Sequence, residues 1–172
     1  MKVERIEPKV ITYKVTPSKD DKEYMECMWA RFIFDCDNGR LNINSDAGDY
    51  SYGWGYNEHE DFMSLMARIN KGYLLNKIAD RTVFDLETSK KGTIENITEY
   101  EDVGHLQDII EKINDINVHS ADGFFFEVDS IVSNIDYENI SIAERFPHGA
   151  EVVCELFVKY IQPQIKKDFK IN

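Results

Sequence analysis

Aspartates gathered at predicted chain reversals are the side chains of this sequence best suited to reactive or electrostatic work. Asp35-x-Asp37-x-Gly39 precedes one turn, and Asp46-Ala-Gly-Asp49 forms the next. Paired carboxylates bind hard cations, activate metal-bound water, or present fixed negative charge to a basic partner. A helix–loop–helix calcium site needs glycine at its sixth position and a bidentate glutamate at its twelfth. Counted from Asp35, glycine falls fifth, Asp46 twelfth, and the flanks read as strands, so that chemistry is set aside. One magnesium site shared by all four aspartates also fails, because successive turns of a meander lie at opposite strand ends. No metal and no other cofactor is expected.

Other reactive types are scattered. His59, His105, His119 and His148 show no paired ligand spacing. There is no G-x-S-x-G elbow, no G-x-x-x-x-G-K-[ST] loop and no G-x-G-x-x-G fingerprint, and Gly53-Trp-Gly55 lacks the third glycine. Cys36 lies among acids that raise a thiol pKa, the wrong direction for a nucleophile. Trp29, Tyr50, Tyr52 and Trp54 resemble a base-stacking platform, but the strands lack the interleaved cations such a platform needs. These absences point away from an enzyme.

Periodicity assigns the aspartates to particular elements. Residues 10–16 alternate as a first strand ended by Pro17, and residues 28–35 form a second with Met28, Ala30, Phe32 and Phe34 on one face. Asn38-Gly39 predicts a two-residue hairpin with positive φ at both positions. Residues 41–45 return, and a fourth strand carries Tyr50, Tyr52 and Trp54 on one face. From Asn57 the period becomes helical: Asn57 with Glu60 reads as a capping box, and Glu58, Glu60 and Asp61 suit the positive helix end. Phe62, Leu65, Met66 and Ile69 form the inward stripe, Gly72 is expected to break the helix, and Tyr73, Leu74 and Ile78 continue in another. Residues 82–86 read as a short edge strand, with Asp85 or Thr88 capping a helix through Ile94 and Ile97. Further stripes run through Leu106, Ile109, Ile110 and Ile113, and, behind a Ser120 cap, through Phe124, Phe125, Val128, Ile131, Val132 and Ile135. A last helix begins after Pro147, and Pro163 is expected to end or kink it. The fold class expected is α+β: an antiparallel meander of about four strands followed by, and packed against, about five helices. One domain is expected over residues 1–172, β-rich over 1–56 and helical over 57–172.

Composition constrains the partner. The chain has 172 residues, 42% hydrophobic and 12% aromatic, which is enough for a core without disulfides or metals. Its three cysteines, Cys27, Cys36 and Cys154, form no C-x-x-C pair, and no segment reaches membrane-spanning length. A cytoplasmic chain without membrane contact is expected. The formal net charge of −12 disfavours direct binding to nucleic acid or anionic lipid and favours basic partners. Acids concentrate over 35–61 and 108–144, while Lys159, Lys166, Lys167 and Lys170 make the end of the chain basic.

Phe32-Ile-Phe-Asp35, the run from Gly39 to Trp54, Phe62-Met-Ser-Leu65 and Gly72-Tyr-Leu-Leu-Asn-Lys-Ile78 carry a resemblance. The first half of the chain resembles small phage- and prophage-borne bacterial proteins, which join an aromatic SD-x-G-x-Y-x-Y-x-W strand to a helix and a YLL-x-K segment. The motifs are structural and bring no catalytic residue with them. Some small acidic prophage proteins are anti-CRISPR inhibitors, and this chain is similar to one directed at a type II effector nuclease. The resemblance implies an inhibitor in a bacterial host cell. It would imitate phosphate spacing in a lysine- and arginine-rich groove of a host defence protein. Asp35, Asp37, Asp46, Asp49, Glu58, Glu60 and Asp61 would supply the contacts, with Tyr50, Tyr52 and Trp54 as anchors. Two alternatives stand beside it: a small metal-dependent hydrolase acting on nucleotides, and a non-catalytic adaptor or homo-oligomer built on the aromatic sheet face.

Overall fold

A computed structural model describes residues 1–55, 61–100, 105–132 and 137–171. In chain order the strands are β1 (Val10–Val15), β2 (Ala30–Asp35), β3 (Arg40–Ser45), β4 (Tyr50–Gly53), β5 (Val83–Phe84) and β6 (Glu144–Arg145). The helices are α1 (Phe62–Arg68), α2 (Lys71–Ile78), α3 (Leu86–Tyr100), α4 (Leu106–Asp115), α5 (Ala121–Ile131), α6 (His148–Leu156) and α7 (Gln162–Phe169). The architecture is α+β, as the periodicity predicts. The chain divides into two compact units, residues 1–80 with 146–172, and residues 81–145.

In the first unit β1-β2-β3-β4 form one antiparallel sheet in sequence order. Its register sets Phe32 between Tyr13 and Ile43, and Phe34 between Ile11 and Leu41. Period-2 alternation therefore puts Ala30, Phe32, Phe34, Leu41 and Ile43 on one fully buried face. Phe157 closes on that face, with ring centroids 5.8 Å from Phe32 and 6.5 Å from Phe34. Met63, Met66, Leu74, Val153, Leu156 and Ile165 complete the core.

Four local expectations are corrected. The first hairpin is wider than Asn38-Gly39 predicts: Asp35 pairs with Arg40, and only Gly39 takes positive φ, at 59°. The Asp35 carboxylate accepts from the Asn38 N–H at 3.2 Å and from its Nδ2 at 2.8 Å, which closes residues 36–39 as a larger turn. Met28 lies outside β2 and is 53% exposed, because Asp46 takes the Met28 N–H at 3.0 Å. Gly72 does not break a helix; it sits inside α2, and the break falls at Asn70, whose Oδ1 caps the Tyr73 N–H at 2.8 Å. Pro163 does not end the last helix either. A π turn over Phe157–Ile161 joins α6 to α7, and Pro163 lies in the first turn of α7. Widening the helix just before proline accommodates the missing N–H and the bulk of the ring. The capping box of Asn57 and Glu60 falls outside the described residues; the cap observed on α1 is Asp61, which accepts from the Ser64 N–H at 3.0 Å.

Charge pairing also organises this unit. Lys159 reaches both carboxylate oxygens of buried Glu23 at 3.0 Å. Lys22 and Lys71 converge on Glu155 at 2.7 and 3.2 Å. Burial opposes ionisation of Glu23, but Lys159 and the backbone outweigh it and hold the carboxyl below its ordinary value. Hydrogen bonds from Lys22 and Lys71 lower Glu155, and hydrogen bonds from Ser18 lower Asp21. A carboxyl depressed on folding stabilises the fold above its unfolded value and loses that contribution as pH falls through its folded one. The thermal midpoint should therefore hold level down to about pH 5 and fall below about pH 4, from unfolded values of about 3.9 and 4.3. Glu23→Gln should lower the neutral midpoint and flatten that acid limb, measured by circular dichroism melts across pH. An unchanged limb would show that the Glu23–Lys159 pair does not couple to folding.

The second unit packs α3, α4 and α5 around Ile97, Ile109, Ile113, Ile116, Phe124, Val128, Val132 and Ile140. β5 and β6 pair as a short antiparallel ladder, so residues 82–86 do contain a strand. Asp85 caps α3 through the Thr88 N–H at 3.1 Å, and Ser120 caps α5 through the Gly123 N–H at 3.1 Å. Ser89 and Thr93 on α3 accept from the Ala143 and Ser141 N–H groups, which ties the returning segment to the helix. Ile135, the last residue of the predicted α5 stripe, is outside the described residues.

Candidate functional site

Each described aspartate of the predicted acidic surface is a backbone anchor. Asp35 holds the turn at Asn38. Asp37 Oδ2 accepts from the Lys9 N–H at 2.7 Å, fastening the chain just before β1. Asp49 Oδ1 lies 3.4 Å from the Ser45 nitrogen and 3.3 Å from Asn44 Nδ2, closing the β3–β4 turn from within. Asp61 caps α1. Asp46 is the most engaged: its carboxylate accepts from the Met28 and Trp29 N–H groups at 3.0 and 3.3 Å and lies 3.2 Å from Cys27 Sγ. Burial pushes the Asp46 pKa up, yet these donors bring it below the usual value. Burial and the same contact push the Cys27 thiol up to about 11, and burial pushes Cys154 up to about 12, so neither thiol is a nucleophile at neutral pH. Glu58 and Glu60 lie outside the described residues.

The aromatic trio faces inward. Tyr50, Tyr52 and Trp54 are half-buried and pack on the first unit's core. Tyr52 and Trp54 meet edge to face at 4.8 Å, Trp54 Nε1 donates to Tyr73 Oη at 3.0 Å, and the Lys77 ammonium sits 5.1 Å from the Tyr52 ring. Close backbone approach falls at Gly39, where a Cβ would stand 2.5 Å from the Gly55 carbonyl oxygen; Gly55 has open space around it and a positive φ of 72°, and a Cβ at Gly53 would make only ordinary contact with the Arg40 side chain at 3.5 Å. Among the described residues no three His, Cys, Asp or Glu side chains are grouped as a metal site. The β2–β3 and β3–β4 turns close opposite ends of β3.

The net charge divides unevenly between the units. Residues 81–145 hold fifteen Asp and Glu against five Lys and Arg, a net of −10 out of −12. The unit that carries the meander is nearly balanced, with seventeen acids against fifteen bases, and Lys22, Lys71 and Lys159 are engaged by its own carboxylates. On α5, Asp122, Glu127 and Asp129 are exposed and carry no ion pair among the described residues. Phe126 stands on the same exposed side and is 70% exposed. Asp122 and Asp129 fall four residues before and three after Phe126, within one helical stripe. The predicted inward stripe takes in Phe124 and Phe125 and leaves out Phe126; of the three, Phe124 is fully buried and Phe125 half-buried.

A meander with capped helices, an acidic helical unit and inert thiols define an α+β protein without a reaction motif, and comparison settles its class. The Phage_phiTE_072 model, described as a phage family, matches residues 1–167, and the chain belongs to that family. No curated protein and no solved structure gives a significant match. Among the described residues no helix is long and apolar enough to cross a membrane.

Proposed function

We propose that this phage protein is an inhibitor that occupies a basic nucleic-acid-binding groove of a host defence protein, such as a CRISPR effector nuclease, in the bacterial cytoplasm. The observation that carries the reading is the concentration of −10 in 65 residues, with exposed α5 carboxylates that carry no ion pair among the described residues around an exposed phenylalanine. Fixed surplus anions steer a cationic surface into contact, and a central aromatic ring surrounded by polar groups is the usual composition of a binding anchor. The turn aspartates Asp35, Asp37, Asp46, Asp49 and Asp61 add negative charge in backbone-locked positions, with Glu58 and Glu60 beside them in sequence. Tyr50, Tyr52 and Trp54 support that scaffold from below.

The test is binding to a purified type II effector nuclease by calorimetry at about 0.05 and 0.5 M salt, with and without target DNA. Affinity should fall by about 100-fold or more between the two salts, and DNA should compete. Binding that ignores salt, or leaves DNA in place, would overturn the reading.

A further inference from the structure

The free edge of the sheet offers a second surface, distinct from the acidic helix. In an antiparallel ladder, residues alternate between those whose N–H and C=O point to the neighbouring strand and those whose groups point away. The Cys36 N–H donates to the Lys9 carbonyl at 2.9 Å, and the β1–β2 register pairs Ile11 with Phe34, Tyr13 with Phe32 and Val15 with Ala30. Those β1 residues therefore face β2 with their main-chain groups. The N–H and C=O of Val10, Thr12 and Lys14 point outward from the sheet. The same phase is kept across the sheet, where the Asp46 N–H reaches the Trp29 carbonyl and the Trp54 N–H reaches the Gly39 carbonyl.

β1 is the outermost strand, none of its residues is buried, and its side chains alternate exposed and half-buried along the whole length. Tyr13 Oη donates to Asp168 at 2.9 Å on the core side, which steadies the strand without covering its edge. An open groove of about 300 Å³ runs beside residues 13–17 and is lined on its other side by Asp21, Tyr160, Ile161 and Gln164. Natural sheets protect such edges with proline, a bulge, a short strand or a charged side chain, lysine above all. Residues 10–15, Val-Ile-Thr-Tyr-Lys-Val, have no proline and no bulge within the run, carry a single lysine at Lys14, and are rich in β-branched types.

We propose that β1 pairs antiparallel with β1 of a second copy, about a two-fold axis at Thr12, to join two meanders into one continuous sheet. In that register Val10 faces Lys14 of the second copy and Thr12 faces Thr12, so every outward group meets a partner of opposite kind. On the core side, Ile11 falls opposite Tyr13 of the second copy, a β-branched–aromatic pair that favours sheet association. Centring the pairing on Lys14 instead would set two ammonium groups directly opposite, which disfavours that slip. Charge permits the contact, because the unit bearing β1 is nearly neutral while the chain's surplus lies in residues 81–145. The edge is short, so association should depend on concentration.

Sedimentation equilibrium of the full chain between about 1 and 500 μM tests this, read together with residue-resolved hydrogen exchange over 9–16. A monomer–dimer equilibrium is expected, with the amides of Val10, Thr12 and Lys14 gaining about tenfold or more protection as dimer forms. Thr12→Pro removes an outward donor and no bond of the monomer, so it should abolish the dimer and leave the melting curve in place. A chain that stays monomeric at the highest concentration overturns the proposal. So does a dimer whose three amides exchange freely, a result that needs no variant. A folded Thr12→Pro chain that still dimerises overturns it as well.

Discussion

Gly149→Ala should cost about 3 kcal/mol or more, at the upper end of overpacking, and lower the melting midpoint by roughly 6–12 °C for a chain of this size. Helix propensity predicts the reverse, since alanine exceeds glycine by about 1 kcal/mol in a helix interior. Position 149 lies in the first turn of α6 and needs no unusual φ. Space decides the sign: a Cβ there would stand 1.9 Å from the Ala47 carbonyl oxygen and 2.9 Å from Tyr50 Oη. Ala47 cannot retreat cheaply, because Ser45 Oγ donates to the Gly48 carbonyl at 2.6 Å, Tyr50 Oη donates to Ala47 itself at 3.2 Å, and Asp49 closes the same turn. Gly72→Ala is the matched control. Its Cβ would meet only Asn70 Oδ1 at 3.6 Å, an ordinary contact, so α2 should gain about 0.5–1 kcal/mol. Denaturant titration of both variants checks the pair; equal responses would mean that the close approach of α6 to the β3–β4 turn does not hold in solution.

That contact shows where sequence reasoning stops. The alternation of Phe32, Phe34, Leu41 and Ile43 identifies the buried sheet face without any structure, because period 2 leaves a single way to face a core. Ser120 and Asp85 are recognisable as caps by residue type and by the apolar helical stripe that begins just after each. Local chemistry is legible in this way. Whatever depends on partners far along the chain is not. Asn38-Gly39 looks like a tight turn until Asp35 captures the Asn38 N–H, and Pro163 looks like a helix end until the π turn before it absorbs the disruption. Lys159 reads as part of a basic end; it is the counter-ion of Glu23, 136 residues earlier. Acid counts mark residues 35–61 and 108–144 as charged; only the structure shows that Lys22, Lys71 and Lys159 answer Glu23 and Glu155 rather than the acids of either stretch.

Charge-neutral replacements should separate the two acidic regions by function. Asparagine keeps the acceptor that a capping aspartate uses, so Asp35→Asn, Asp37→Asn and Asp49→Asn together should leave the fold within about 1 kcal/mol while removing three charges. Asp122→Asn, Glu127→Gln and Asp129→Asn remove the same charge from α5, where no ion pair among the described residues is lost. The α5 set should weaken binding to the effector nuclease by about 100-fold, or about 2.7 kcal/mol, and flatten its salt dependence. The turn set should weaken it only a few-fold, because a carboxylate already accepting backbone N–H groups is partly neutralised and has fewer free oxygens to offer. Phe126→Ser should also lose about tenfold or more but keep the salt dependence, since it removes apolar burial and no charge. Calorimetry on the three variants against the parent chain reads each effect separately. A larger loss from the turn set would return the docking surface to the meander. Equal losses from both sets would mean that net charge alone drives the encounter and that no ordered anionic face is recognised.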